Sequence, residues 1–498
     1  MPDDRSRADR PPTLNKELLL SDLNAQFENI SDKGSEDAAQ IFARNAATIA
    51  FDDLPPAAVR AAKLGVLDTL GVILAATGVA PGLDRFAELA KLDGGRPEST
   101  ILGFGGRVPA PSAAFVNGAS AHAIDFDDIH DSMGTHPSAP VVSATMALAE
   151  RLGGVSGREL LAAVAVGQDF FVRLTGSTAP WEHGLMGPCA LGGLATAVSC
   201  SRLLGLDEAE TYNAISIASC QAGAPAQLAN NEGSNLRSFY ASCSARSGLV
   251  AALLAQRGVG GIVDVLESKT GGVFRALFDG EYDRDRLVGG VGTEFPCSDV
   301  SYKAYPACRL SNVYIDAILE VVNDDGVEPR DITSVKVRVG QIPMRLCQPD
   351  EARRRPRTVM DAKFSIPFIV GLAMARRGLS LRDFSAEALR DPAVLAETDK
   401  VSYVYDESLD LADPVIIPPG IIEVTTSSGT KITKRIEVPY GHPKRPISDQ
   451  ALHAKFTDNA AHAAVPIPAT TLKRVMELLD TLETSSDVAE IPRLLGGE

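Results

Sequence analysis

The sequence predicts a mainly α-helical protein with a smaller inserted α/β domain. Three observations point there. Ala and Leu dominate a chain in which aromatic residues make up only 5%, a composition suited to helices packed through small side chains. From Ser35 to about residue 298 apolar residues recur mostly at helical spacing. Beyond that the pattern shifts to the two-residue period of half-buried strands, before a helical pattern returns at the end.

Residues 1–35 begin MPDDRSRADRPP, mixing charge and proline without an apolar run, and read as a disordered tail rather than a secretory signal. The DLPP string at Asp53–Pro56 marks a helix entrance, proline being tolerated in a first turn. Val59, Ala62, Val66, Leu70 and Ile73 then share one side of that helix, and Gly78 is expected to follow its end. Ser156 and Glu159 form a capping-box pattern ahead of Leu160, Leu161, Val164 and Phe171. The Ala-, Gly- and Ser-rich stretch Cys189–Leu206 is placed inside the helical core, as is Arg246–Gln256, which stops at Gly258.

After residue 298, Val335, Val337 and Val339 alternate with Lys336 and Arg338, the signature of a strand with one buried face. Ile421–Thr426 and Lys431–Val438 flank Ser427–Thr430 as a hairpin. Ser365–Arg377 reads as a helix between them. At the end, Leu472, Val475, Met476, Leu479 and Leu482 line one side of a final helix over Ala469–Leu482. The expected division is 36–298 with 447–498 as the helical domain and 299–446 as the α/β domain.

The bulk numbers bound the function. A chain of 498 residues with 45% apolar and 22% charged residues is ordinary globular material, enough for two or three domains. The formal net charge of −16 argues against nucleic acid as the main partner, which needs a basic face. Seven cysteines, an odd count without a C-x-x-C pair, suit reduced thiols in a cytoplasmic chain. No membrane span is expected, since Leu64–Ala76 is short and interrupted by Asp68.

The densest polar cluster runs from His122 through Asp125, Asp127, Asp128, His130 and Asp131 to His136, between two apolar stretches. Three readings fit: a solvated loop with helix-capping aspartates, a divalent-metal site, or an acid/base site with His as the proton carrier. Isolation of His442, His453 and His462 leaves no second cluster to complete a ligand set, so metal is not preferred. A second constellation, Ser301–Arg309, gathers Tyr302, Lys303, Tyr305 and Arg309 at the proposed domain junction, as an anion clamp or simply a proline-containing loop. In a third, Gly233–Tyr240, Arg237 could hold a carboxylate bidentately or form an ordinary helix-start ion pair. Tyr440–Pro446 reads as a rigid turn, and Arg353–Arg355 as a solvated face. The GFGG string at Gly103–Gly106 lacks nucleotide-fingerprint spacing and no Walker loop is present, so no nucleotide cofactor is implied.

Taken in order, LDTLG at Leu67–Gly71, Asn117 with Gly118, HAIDFDD at His122–Asp128, His136–Ser138, KAYPACR at Lys303–Arg309, DAKFS at Asp361–Ser365 and GHPK at Gly441–Lys444 resemble the MmgE/PrpD family over residues 38–485. That resemblance implies a large helical domain built from both chain ends, a smaller α/β lid, a homodimer, and a site in the cleft between them. It also implies chemistry without metal or organic cofactor: proton abstraction or delivery next to a carboxylate of a small polycarboxylate. Asp125 and His136 match the family's site Asp and His, and Lys303 the lysine that opens the lid. The family pattern is altered at four places: Ile129 stands for Thr, Arg237 for Lys, Tyr240 for His, and Asn312 for His. His183, three positions early, stands nearest the family's second site histidine.

The resulting expectation is a cofactor-independent lyase of dehydratase or decarboxylase type. His136, Lys303, Asp125 and His183 are its catalytic candidates, and Arg237, Tyr240, Arg309 and Ile129 line the substrate. The alternatives are an epimerase of an imino- or amino-dicarboxylate, a metal-dependent hydrolase using the His122–His136 cluster, or a degenerate member that binds without turnover.

Overall fold

The computed structural model describes residues 36–178, 180–229, 236–411 and 417–497. The expected N-terminal tail lies outside the described residues. The first part of the chain is helical as expected: α1 (Ala38–Thr48), α2 (Pro56–Val79), α3 (Ala110–His122), α4 (Ser138–Leu152), α5 (Gly157–Thr178), α6 (Gly187–Leu204), α7 (Glu208–Ser219) and α8 (Phe239–Ala255). A short antiparallel hairpin, β1 (Ser99–Thr100) with β2 (Arg107–Val108), precedes α3. The Ser156 half of the capping box forms, its hydroxyl accepting from the Glu159 amide at 3.2 Å.

Small residues let these helices touch backbone to backbone. A Cβ on Gly118 of α3 would lie 2.9 Å from the carbonyl oxygen of Ala241 and 3.0 Å from the Ser242 Cα of α8. The same holds for Gly248 of α8, where a Cβ would lie 2.6 Å from the Ala197 nitrogen of α6. Such approaches explain why α3, α6 and α8 are apolar on all sides instead of amphipathic.

Two sequence expectations for α2 need correction. Gly78 lies inside its last turn, not beyond it, and faces the His462 carbonyl where a side chain has no room. The helix is also long and apolar enough to cross a membrane, yet most of its apolar stretch is buried inside the protein. Asp68, which seemed to interrupt the apolar run, is buried and paired with Lys455 at 2.7 Å.

Two C-terminal helices follow, Asp449–Ala460 and Ala469–Asp480. Leu452, Phe456, Val475 and Leu479 from them join Val66, Leu67 and Leu70 of α2 in one apolar cluster. A second cluster runs from Ala307 to Ile436. It is built on a four-stranded sheet of order β4-β3-β5-β6, with β3 (Ile332–Val339), β4 (Val401–Tyr405), β5 (Gly420–Thr426) and β6 (Lys431–Ile436). β3 pairs parallel to β4 and antiparallel to β5, and β5–β6 is the expected hairpin. Val335, Val337 and Val339 point inward against α9 (Asn312–Leu319) and α11 (Ile366–Arg376), while Lys336 stays exposed. The short α10 (Val359–Lys363) precedes α11 and carries a lysine into the site. The chain is therefore mainly α with a small α/β part.

Candidate active site

Helix α3 ends at His122 and the chain turns sharply, with Asp125 at φ +55°. Asp is one of the few non-glycine residues that tolerate this left-handed conformation. Three lysines hold the turn through three consecutive carbonyls. Lys363 Nζ donates to Ile124 O at 2.6 Å, Lys303 Nζ to Asp125 O at 2.9 Å, and Lys455 Nζ to Phe126 O at 2.8 Å.

The Asp125 carboxylate is also gripped. Its Oδ1 accepts from Lys303 Nζ at 3.1 Å and from Arg237 Nη2 at 2.9 Å. Burial alone would raise its pKa, but the Lys303 and Arg237 charges outweigh burial and hold the carboxyl well below the usual range. Arg237 is fixed from two other sides, its guanidinium 4.5 Å from the Phe364 ring centroid and 5.1 Å from that of Tyr240. Tyr240 in turn stacks on His122 with centroids 4.5 Å apart.

Beside this group two imidazoles share one carboxylate. His122 Nδ1 lies 2.8 Å from Asp127 Oδ2, and His136 Nδ1 lies 3.2 Å from the same oxygen. His136 Nδ1 is closer still, at 2.7 Å, to the Asp128 carbonyl oxygen. A carbonyl only accepts, so His136 Nδ1 carries a hydrogen, and in the neutral tautomer Nε2 is the acceptor. His122 is fully buried, and burial outweighs the attraction of Asp127 to push its pKa down to about 4. Its ring is therefore neutral near pH 7, with Nδ1–H on Asp127 and an unprotonated Nε2. Burial would raise the Asp127 pKa, yet His122 and His136 hold it well below the usual range.

Three buried polar atoms of this cluster have no hydrogen-bond partner among the described residues: His122 Nε2, Asp125 Oδ2 and Arg237 Nε. Buried polar atoms left unpaired are costly and rare, and a ligand that reached these three would satisfy them.

Among the described residues, His122, Asp127 and His136 are the group that could hold a metal, their donor atoms falling within 4.8 Å of one another. The donor set fits poorly. With His136 Nδ1 on a carbonyl and His122 Nδ1 on Asp127, only the two Nε2 atoms are left as ligands and Asp127 is spent on the imidazoles, too few donors for a closed site.

The remaining expected residues are distributed unevenly. Lys303, Arg237, Tyr240, Asp125 and His136 come together. Ile129 contributes backbone: its N–H donates to Ser301 O at 2.9 Å and its carbonyl accepts from Ser301 N at 2.8 Å, tying the His122–His136 loop to the Lys303 segment. Arg309, expected to contact substrate, is instead a brace, because Asp131, the Asn312 amide oxygen and the Tyr440 carbonyl take all its nitrogens. His183 stands apart, edge-on to Phe278 at 5.5 Å and 3.8 Å from Glu281. Asp128 serves structure, its pKa raised by burial while Ser138 hydrogen-bonds it.

Sequence reasoning passed over Lys363 and Lys455. Lys363 stood in the quoted DAKFS string, whereas Lys455 sits in no motif, and nothing in either position signals a bond to a carbonyl more than two hundred residues away. Two positions of the family motifs prove structural: Asn117 bridges Leu102 N and Thr100 O of the hairpin, and Gly441, at φ +88°, accepts from Tyr302 N at 3.0 Å.

A helical body joined to a small α/β part, with an Asp–Lys–Arg cluster beside paired imidazoles, defines the class. Residues 40–285 match the MmgE/PrpD N-terminal domain and residues 305–481 the MmgE/PrpD C-terminal domain. The chain belongs to the MmgE/PrpD family. Its relatives include cis-aconitate decarboxylase of Mus musculus, 28% identical over 88% of this chain and 89% of that protein. Cis-aconitate decarboxylase of Aspergillus terreus is 24% identical, covering 90% of this chain and 94% of its own. The 2-methylcitrate dehydratase of Cupriavidus necator is 25% identical, over 80% of this chain and 85% of its own.

Proposed function

We propose that this chain moves a proton at the carbon next to a carboxylate of a small di- or tricarboxylate, with dehydration or decarboxylation as the outcome. It is an enzyme of the lyase type, as its decarboxylase and dehydratase relatives are. One observation carries the reading. An ionised Asp125, held by Arg237 and Lys303, adjoins two imidazoles whose Nδ1 atoms are both committed, so that Nε2 is the free proton acceptor on each.

In this reading His136 Nε2 takes or returns the proton, a role that contributes about 10²–10⁴-fold. Arg237 and Lys303 each retain donors beyond those spent on Asp125. These neutralise substrate carboxylates and stabilise the aci-carboxylate that develops after deprotonation. Asp125 Oδ2 and His122 Nε2 accept from substrate hydroxyls, and Tyr240 fixes the His122 plane. Residues 299–446 act as a lid over the body formed by 36–298 and 447–498, in a cytoplasmic homodimer whose mass sedimentation would report.

The test is proton exchange. Incubation in D₂O with cis-aconitate, 2-methylcitrate and a panel of related di- and tricarboxylates should show enzyme-dependent deuterium entry at an α-carbon together with loss of water or CO₂. Equal exchange by His136→Ala and wild type would remove His136 from the proton path. Exchange with inversion but no bond lost would make the protein an epimerase. Thermal stabilisation by these acids without exchange or turnover would make it a binding protein.

A further inference from the structure

Of the three lysines on the Asp125 turn, two have a carboxylate partner. Lys303 pairs with Asp125 and Lys455 with Asp68. Lys363 has no ion-pair partner among the described residues. The residue is 2% exposed, its Nζ donates to Ile124 O, and the ring centroid of Phe384 lies 5.2 Å away. The charged groups acting on it are Asp125, which favours the ammonium, and Lys303 and Arg237, which oppose it. Three cations thus face the single carboxylate of Asp125, and the shortfall of negative charge falls on Lys363.

Lys363 also has a particular place in the fold. It ends α10 and leads into α11, whose apolar residues pack in the sheet-centred cluster, while Ile124 belongs to the turn after α3. The bond from Lys363 is therefore a direct tie from the α/β part to the backbone that carries Asp125.

We propose that Lys363 is a positioning residue for Asp125, and the point at which binding of a polycarboxylate is coupled to uptake of one proton. The coupling half rests on the polycarboxylate reading above. The step is balanced: the Lys363 amine takes one proton from solvent and becomes an ammonium, the ligand supplies the counter-charge, and no other bond changes. Burial, the largest influence, pushes the Lys363 pKa down to about 7, so the unliganded site holds amine and ammonium together near neutrality. The ammonium makes the stronger, charge-assisted bond to Ile124 O. Ligand binding therefore tightens the tie between the α/β part and the Asp125 turn.

Tricarballylate, a tricarboxylate with no hydroxyl to eliminate and no double bond, serves as the probe on the full-length chain. Titration calorimetry in buffers of different ionisation enthalpy, from about pH 7.5 to 9, reads the proton count. Wild type should take up close to one proton per site, with Kd rising about tenfold per pH unit in that range. Lys363→Met should lose the uptake and bind with a flat pH profile. Lys363→Arg should lose the uptake yet keep its affinity at high pH, and it carries the comparison should Lys363→Met not fold. Equal uptake in wild type and either variant overturns the proposal.

A ligand-free arm separates the two ideas. Because the folded pKa of Lys363 lies below its unfolded value, wild type should gain thermal stability on Lys363→Met as pH rises from about 7 to 10. A constant difference overturns the Lys363 proposal whatever the ligand does. A pH-dependent difference with no tricarballylate binding to wild type instead sinks the polycarboxylate reading, and the coupling with it.

Discussion

The ammonium of Lys303 lies 3.1 Å from Oδ1 of Asp125 and 2.9 Å from the backbone oxygen of the same residue. One side chain thus neutralises the carboxylate and fixes the left-handed backbone that presents it. Lys303→Met should leave Asp125 with Arg237 as its one direct ion-pair partner among the described residues, in a buried site. A loss of about 3 kcal/mol in urea unfolding is expected, in the range for breaking a buried pair from one side. The value of kcat/KM should fall at least about 10²-fold, as when an electrostatic stabiliser is removed. A variant of unchanged stability would show that Arg237 suffices to hold the turn.

Arg237 works through shape as well as charge. Its planar group spans Tyr240, Phe364 and Asp125 at once, which a lysine ammonium cannot do. Arg237→Lys should keep the charge, fold normally and raise KM about tenfold, the scale of one or two lost contacts of about 1 kcal/mol each. Steady-state kinetics on the substrate found by the exchange screen decides this. An unchanged KM would exclude Arg237 from substrate binding.

The pH dependence on the acid side should come in part from His122. Its folded pKa, about 4, lies below the ordinary 6.5, so the unfolded chain binds the extra proton first. The associated stability is present above pH 6.5 and is lost as pH falls through about 4. That gap amounts to at most about 3 kcal/mol. His122→Asn, whose amide can still donate to Asp127, should show a flatter stability profile between these pH values. Parallel wild-type and variant profiles in denaturant titrations would contradict the assignment.

Gly118 lies one turn before His122, where α3 meets the backbone of α8. Gly118→Ala should push the two helices apart and cost about 1–3 kcal/mol, as overpacking does. Because α8 begins at Phe239 and carries Tyr240, the stacking on His122 should loosen as well. Thermal unfolding together with kcat measures both effects. A neutral substitution would mean that the helix contact has slack.

Periodicity made much of the fold legible. Val335, Val337 and Val339 announced β3 because a strand with one buried face must alternate, and the Ser156–Glu159 pair announced α5 because a cap satisfies amides that the helix cannot. Gly78 was misread as a stop because sequence shows a missing side chain but not the chain that comes close to it. The site was legible where charge clustered locally, from His122 to His136. His183 and Arg309 show the limit of that reading: their types suit a site, but their partners, Glu281 with Phe278 and Asp131 with Tyr440, are set by tertiary packing. Lys363 and Lys455 were invisible for a related reason. Each binds a backbone oxygen, and a carbonyl is the same at every position in the chain.

The three lysines on Ile124, Asp125 and Phe126 come from positions 303, 363 and 455. During synthesis the turn therefore emerges long before the residues that hold it. No ribosome-bound nascent chain can complete the arrangement until Lys455 has left the exit tunnel. Catalytic competence should thus wait for Lys455, and chains cut short before it should be inert even when their helices have formed.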